Sequence, residues 1–181
     1  MKGLFIFSHD MEDGEALTTR ALLMRAGLQI VTMTFEQTLD IKTSYGLIAK
    51  ADHFAHDIHL DNYDFVIVPG GKYVKNVVDH DVHIKETIKF FHQKSKMVAA
   101  ICAGPRFLGQ AGILKGINFT AFPGSEKDAP EGIYHSDLKA ITDGNIITGR
   151  SAGAVYEFSH EIVKYVLGEE IASKLLSSIL Y

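Results

Sequence analysis

A second cysteine is missing. Cys102 carries the only thiol among 181 residues, so no internal disulfide forms, and a reducing, cytoplasmic setting is the expectation. An excess of positive charge is missing too. Eighteen Lys and Arg face 22 Asp and Glu, for a formal net charge of -4. That lacks the basic footprint of a nucleic-acid binder, so no specific nucleic-acid partner is expected. No run of like charges marks a tail. No apolar stretch is long enough for a membrane span. The N-terminal MKGLFIFSHDMEDGE turns acidic too early for a signal peptide, so no membrane partner is expected either. Internal repeats, linkers and low-complexity tracts are absent.

What is present reads as one domain over residues 1–181, long enough to bury a sizeable core without staples. Short apolar runs alternate with amphipathic stretches. LFIFS (4–8), LQIVTMTF (28–35), DFVIVPGG (64–71) and KMVAAI (96–101) read as strands. So do the stretch around Tyr45–Lys50 and the shorter NFTAF, GIYHS, LKAIT and GNIITG. Helices are expected over 12–27, where Ala16, Thr19, Leu23 and Ala26 share a face, over 81–95, through GPRFLGQAG, and over 153–168 and 169–180. This alternation predicts a parallel sheet covered on both faces. Ligands of such folds lie beyond the carboxyl ends of the strands. Three tips are thereby singled out: SHDMEDGE, PGGKY and CAGP.

Cys102 ends an apolar strand and precedes Ala103-Gly104-Pro105. A sharp strand-to-helix turn presents its corner residue above the sheet, as in a nucleophile elbow, and the turn tolerates only small neighbours. Pro105 suits the first turn of a helix. A helix N-terminus aimed at the sulfur predicts a depressed thiol pKa. On composition alone, a lone cysteine beside an apolar strand is more often a small buried hydrophobe; the elbow context tips the reading towards a functional thiol. Attack on a carbonyl also needs oxyanion donors. The backbone N–H groups of Gly70, Gly71 and Ala103 are candidates, although Pro69-Gly70-Gly71 on its own reads as a strand-ending turn. A carboxyl group beside the thiol would serve as acid and base. Asp10, Glu12, Asp13 and Glu15 all crowd the first tip, and residue type does not choose among them.

VAAICAGP (98–105), DFVIVPGG (64–71), DMEDGEALTTRALLMRAG (10–27) and GNIITGRSAGAVYEFSHEIVKYVLG (144–168) together resemble the DJ-1/PfpI (ThiJ) superfamily, in its DJ-1/YajL-like branch. The resemblance covers nearly the whole chain. It implies a flavodoxin-like α/β three-layer sandwich with a mostly parallel central sheet, and a homodimer. Cys102 matches the family's nucleophile, Glu15 the acid that contacts its sulfur, and Gly70, Gly71 and Ala103 the backbone donors. Arg150 and Ser151 match a stretch close to the same pocket. The activities implied need no cofactor and no metal: conversion of methylglyoxal to lactate, or removal of early glycation adducts. The substrate is then a small carbonyl compound or a glycated molecule. The alternative is an oxidative-stress sensor or chaperone working through the oxidised thiol. A thiazole or thiamine role has no support in the residues, and PGGK alone is too weak a phosphate signal. Protease chemistry ranks last.

One departure stands out. Phe122 occupies the position where many members carry a histidine. Of the nine histidines, His9 in the first tip is the best substitute, ahead of His135 and His160. His53, His56 and His59 have a regular spacing of three, but in strand and turn this spacing does not gather a zinc site.

Overall fold

The apolar runs fall where their period places them. In the computed structural model, which describes residues 1–181, β1 (Lys2–Ile6) leads through a wide helical turn at Gly14–Thr18 into α1 (Thr19–Arg25) and β2 (Gln29–Thr34). The small antiparallel pair β3 (Asp40–Lys42) and β4 (Ile48–Lys50) follows, then β5 (His53–Phe54) and β6 (Phe65–Val68). Next come α2 (Lys72–Val77), α3 (His83–Gln93), β7 (Met97–Ile101) and α4 (Pro105–Gln110). The chain closes with β8 (Asn118–Phe119), β9 (Ile133–Tyr134), β10 (Ala140–Asp143), β11 (Ile146–Gly149), α5 (Val155–Leu167) and α6 (Glu169–Ser178).

Seven strands form the central sheet in the order β10-β11-β7-β6-β1-β2-β5. All pairings are parallel except that of the edge strand β10 with β11. Helices α1 and α5 pack together on one face, with α6 against α5, while α3 and α4 cover β6 and β7 on the other. Strands buried on both faces must be apolar throughout, and β6 (FVIV) and β7 (MVAAI) have no exposed position. Their side chains join a core of 45 buried residues. From α3, Ile84, Ile88 and Phe91 enter that core at 2% exposure or less, each contributing about 1.5–3 kcal/mol by leaving water.

Three departures from the sequence expectation have local causes. The helix expected over 12–27 opens with a π-turn at Gly14–Thr18. The six-residue helix α2, starting right after Gly71, was not foreseen, because Lys72–Val77 carries no start signal beyond the Gly pair. NFTAF and GIYHS shrink to the two-residue strands β8 and β9, which pair with each other outside the main sheet.

The chain runs from β1 outward to β2 and returns on the other side as β6, so the strand order reverses at β1. The tips of β1 and β6 are stitched together there. Met11 bridges Gly71 in antiparallel fashion, and the Glu12 N–H donates to the Gly70 carbonyl at 3.0 Å.

Candidate active site

Cys102 sits at φ 62°, a left-handed conformation that costs a non-glycine residue about 1–2 kcal/mol. Hydrogen bonds hold it there from both sides. Its N–H donates to the Gly149 carbonyl at 2.9 Å, and its carbonyl accepts from the Phe122 N–H at 2.8 Å. Gly104 allows the turn to close: a Cβ on it would stand 2.7 Å from the Val68 carbonyl oxygen. Strain of this kind marks the corner residue of an elbow, and the Cys102 side chain is half-buried there against the core.

The π-turn delivers Glu15. Its N–H donates to the Glu12 carboxylate at 2.6 Å, and the widened turn swings its side chain into the protein, where no part of it is exposed. Oε2 accepts the Gly70 N–H at 2.9 Å. Oε1 is buried with no partner. The carboxyl group lies against the Cys102 thiol. Gly70 is the spacer of this arrangement. A Cβ there would lie 2.5 Å from Glu15 Oε2, 2.7 Å from Cys102 Cβ and 2.9 Å from the Ala103 nitrogen. Gly71, at φ 129°, could not carry a side chain without meeting the Asp10 carbonyl oxygen at 2.4 Å. The Tyr73 hydroxyl, donating to the Pro69 carbonyl at 2.8 Å, braces the same tip from below.

Burial raises Glu15 from 4.5 to about 7. Contact with the thiol, then the Gly70 and Ala152 N–H groups, pull it down, while the Glu12 charge adds to the rise. The thiol is pushed well above its ordinary range, by burial first and then by the charge and hydrogen bond of Glu15, against a smaller pull from the Ala103 N–H. This is opposite to the depressed value expected from a helix N-terminus. Helix α4 has only six residues, and a buried carboxylate is nearer to the sulfur than any cation. The two groups therefore titrate as a pair. Above about pH 7 the pair holds one proton and the raised thiol keeps it on sulfur, so a thiolate forms only as that proton passes to Glu15.

Above the sulfur lies an open cleft of about 500 Å³, whose lining includes Cys102, Ala103, Gly71, Glu12 and Phe122. A larger groove of about 670 Å³, lined by Leu17, Leu22, Tyr156 and Tyr181 among others, shares no residue with it and contains no Cys, His, Asp or Glu side chain. The thiol cleft is therefore the candidate site. Of the expected residues, Cys102, Glu15, Gly70, Gly71 and Ala103 come together.

Two expectations need correction. The Gly70 N–H is not free for an oxyanion, because Glu15 takes it; the Gly71 and Ala103 N–H groups have no backbone partner. Arg150 does not line the cleft. Its guanidinium donates to the Ser136 and Asp137 carbonyls at 3.3 and 3.4 Å, and so clasps the loop before β10. Two residues on, the Ala152 N–H faces Glu15 instead. A backbone group leaves no mark in residue type, so reading the sequence missed it.

No histidine lines the cleft. His9 lies in a separate cleft with His83 and Asp81, its Nδ1 accepting the Lys42 N–H at 3.0 Å. His135 bonds Asn118 at 2.8 Å, and His160 faces Glu169. Phe122 stays half exposed at the cleft edge and leaves it open. No group of three or more His, Cys, Asp or Glu side chains converges as a metal site would require. No helix is long and apolar enough to cross a membrane.

A thiol on a strained elbow, paired with a buried carboxyl group at the switch point of a parallel sheet, defines a flavodoxin-like protein with a nucleophile-elbow site. Within that class the family is settled by comparison. The DJ-1/PfpI family description matches residues 1–165, and the chain belongs to that family. It is 28% identical over 177 residues to a Parkinson disease protein 7 homolog of Danio rerio, covering 96% of this chain and 94% of that protein. It is 30% identical over 165 residues to deglycase PfpI of Pyrococcus furiosus, covering 91% and 98%. Among solved structures, oxidized Toxoplasma gondii DJ-1 superposes with a TM-score of 0.90 at 27% identity, over 99% of this chain and 98% of that one.

Proposed function

We propose that the protein acts on small reactive carbonyl compounds through Cys102, without a cofactor, in the manner of a glyoxalase or deglycase. The observation that carries this reading is the contact between the Cys102 thiol, which lines an open cleft, and the buried Glu15 carboxyl group behind it. The deglycase names of similar proteins support it. With the proton on Glu15, the Cys102 thiolate adds to the aldehyde carbon of methylglyoxal. Glu15 protonates the new alkoxide, giving a hemithioacetal. The Glu15 carboxylate then removes the proton from C1 to give an enediolate and returns it to C2, while the hydroxyl proton passes from O1 to O2, which converts the adduct into a lactyl thioester. The Gly71 and Ala103 N–H groups stabilise the developing oxyanion. Water cleaves the thioester and restores the thiol. Methylglyoxal plus water gives lactic acid, with no external oxidant or reductant. A carboxyl group of pKa about 7 is suited to both halves of the proton transfer, so the sequence needs no histidine.

The test is turnover of methylglyoxal and of a glycated amino acid by wild type, Cys102→Ala and Glu15→Gln. Loss of at least about 100-fold in both variants is expected. Turnover that survives Cys102→Ala would end the reading.

A second reading, oxidative sensing, has its own observation. Glu15 Oε1 is buried without a hydrogen-bond partner, on a carboxyl group that lies against the Cys102 thiol. Protonated, it would donate a hydrogen bond to a sulfinate oxygen. Peroxide that adds two oxygen atoms to Cys102, in a protein with no carbonyl turnover, would favour this role.

A further inference from the structure

The chain is acidic overall, yet the cleft above Cys102 is lined by Lys72, Lys75 and Arg106 against a single carboxylate, Glu12. That carboxylate is occupied, since one of its oxygens accepts the Glu15 N–H. The three cations differ in how far they are committed. Arg106 spends its Nε on Asp128 and leaves both terminal nitrogens without a partner. Lys72 donates to the Ser44 carbonyl at 3.1 Å and stands over the Tyr45 ring, which fixes its position without neutralising it. Lys75 is exposed and makes no ion pair or hydrogen bond in the protein. The cleft volume of about 500 Å³ falls in the range of about 300–1,000 Å³ that holds whole small molecules. A three-carbon aldehyde on the sulfur fills only its floor. Beyond the reacting carbon there is space, and its three cations, set against Glu12 and the Asp128 that pairs with Arg106, leave an excess of one positive charge, with Lys75 the cation that has no partner.

We infer that the cleft selects carbonyl substrates that carry an anionic group, a phosphate or a carboxylate, with the carbonyl carbon at Cys102 and the anion held by Lys75, Lys72 and Arg106. This rests on the carbonyl reading and adds a substrate class to it. Lysines bind a phosphate as point charges, and the arginine offers the four N–H donors of its two terminal nitrogens. A cleft lined by one sign of charge also concentrates ligands of the opposite sign, in a salt-dependent way.

Because Cys102 is the only cysteine, alkylation reads the charge preference of the cleft without background and without turnover. The quantity is the rate with iodoacetate divided by the rate with iodoacetamide at low ionic strength, normalised to the same ratio for the urea-unfolded chain. The expected value is about fivefold or more above the unfolded chain. It should collapse towards one in high salt and fall about tenfold in Lys75→Glu, while the iodoacetamide rate stays within about twofold and so reports an intact cleft. A normalised ratio at or below one, or one that Lys75→Glu leaves unchanged, overturns the inference. If Cys102 reacts with neither reagent, the thiol-based function falls. The charge preference is then decided by titrating the Cys102→Ala protein with glycerol 3-phosphate, lactate and glycerol, following backbone amide shifts. Binding of either anion in preference to glycerol, weakened at least about fivefold by Lys75→Glu, upholds it and tells phosphate from carboxylate. Equal response to all three overturns it.

Discussion

The buried Glu15 makes the stability of the protein depend on pH in a direction opposite to that of an ordinary salt-bridged acid. Folding raises its pKa from 4.5 to about 7, chiefly because burial disfavours the charged form. Below the unfolded value both states carry the proton and the folded protein bears no penalty. As pH climbs through the interval, the unfolded chain ionises freely while the folded one resists, and stability falls until the folded group also ionises. At about 1.4 kcal/mol for each pH unit, the full loss is about 3 kcal/mol, most of it between about pH 5 and pH 8. Replacing Glu15 by Gln keeps the volume and an oxygen that accepts the Gly70 N–H, but removes the ionisation. Urea unfolding of wild type and Glu15→Gln at about pH 5 and pH 8 gives four free energies. The wild type should lose about 2–3 kcal/mol more than the variant over that interval. Parallel pH dependence in the two proteins would mean that Glu15 is not the buried acid described here, and the proton-sharing pair with Cys102 would go with it.

Gly70→Ala should destabilise by about 1–3 kcal/mol and change the alkylation rate of Cys102, since the new Cβ would meet Glu15 Oε2 at 2.5 Å and Cys102 Cβ at 2.7 Å; an unchanged melting temperature and rate would refute the close packing. Cys102 holds φ 62°, so Cys102→Gly should be more stable than Cys102→Ala by about 1 kcal/mol, the reverse of the usual order; thermal unfolding of the pair decides it. Arg150→Ala should cost less than about 1 kcal/mol in chemical denaturation, as expected for exposed hydrogen bonds to two carbonyls. It should leave Cys102 alkylation as it was, and a changed rate would bring Arg150 back towards the cleft.

The sheet was legible because its strands obey a pattern with few alternatives. FVIV and MVAAI are too short and too apolar for surface helices, and each ends in a glycine-bearing turn, so parallel burial is nearly forced. Pairing between β8 and β9 was not legible. NFTAF and GIYHS have ordinary strand composition, and nothing local says that only two residues of each will pair, or that they will do so apart from the main sheet. Helix α2 was hidden for a related reason: the Gly pair before it reads first as a turn, and six residues give a period too short to detect.

In the site the boundary falls between residues and relations. The elbow at Cys102 follows from small neighbours and a proline placed after an apolar strand. Glu15 does not follow from four nearby acids, because its selection depends on a π-turn and on a Gly70 N–H fifty-five residues away. The thiol pKa was misjudged for the same reason. A helix N-terminus is visible in sequence and pulls a thiol down, while burial first, and then a carboxyl group contributed by another strand tip, push it up and leave no local mark. In a desolvated corner the nearer full charge outweighs the partial charge of a six-residue helix. The consequence reaches the proposed chemistry: with the thiol raised beside Glu15, a thiolate requires that its proton pass to that carboxyl group, so the reaction proposed for this site depends on both residues.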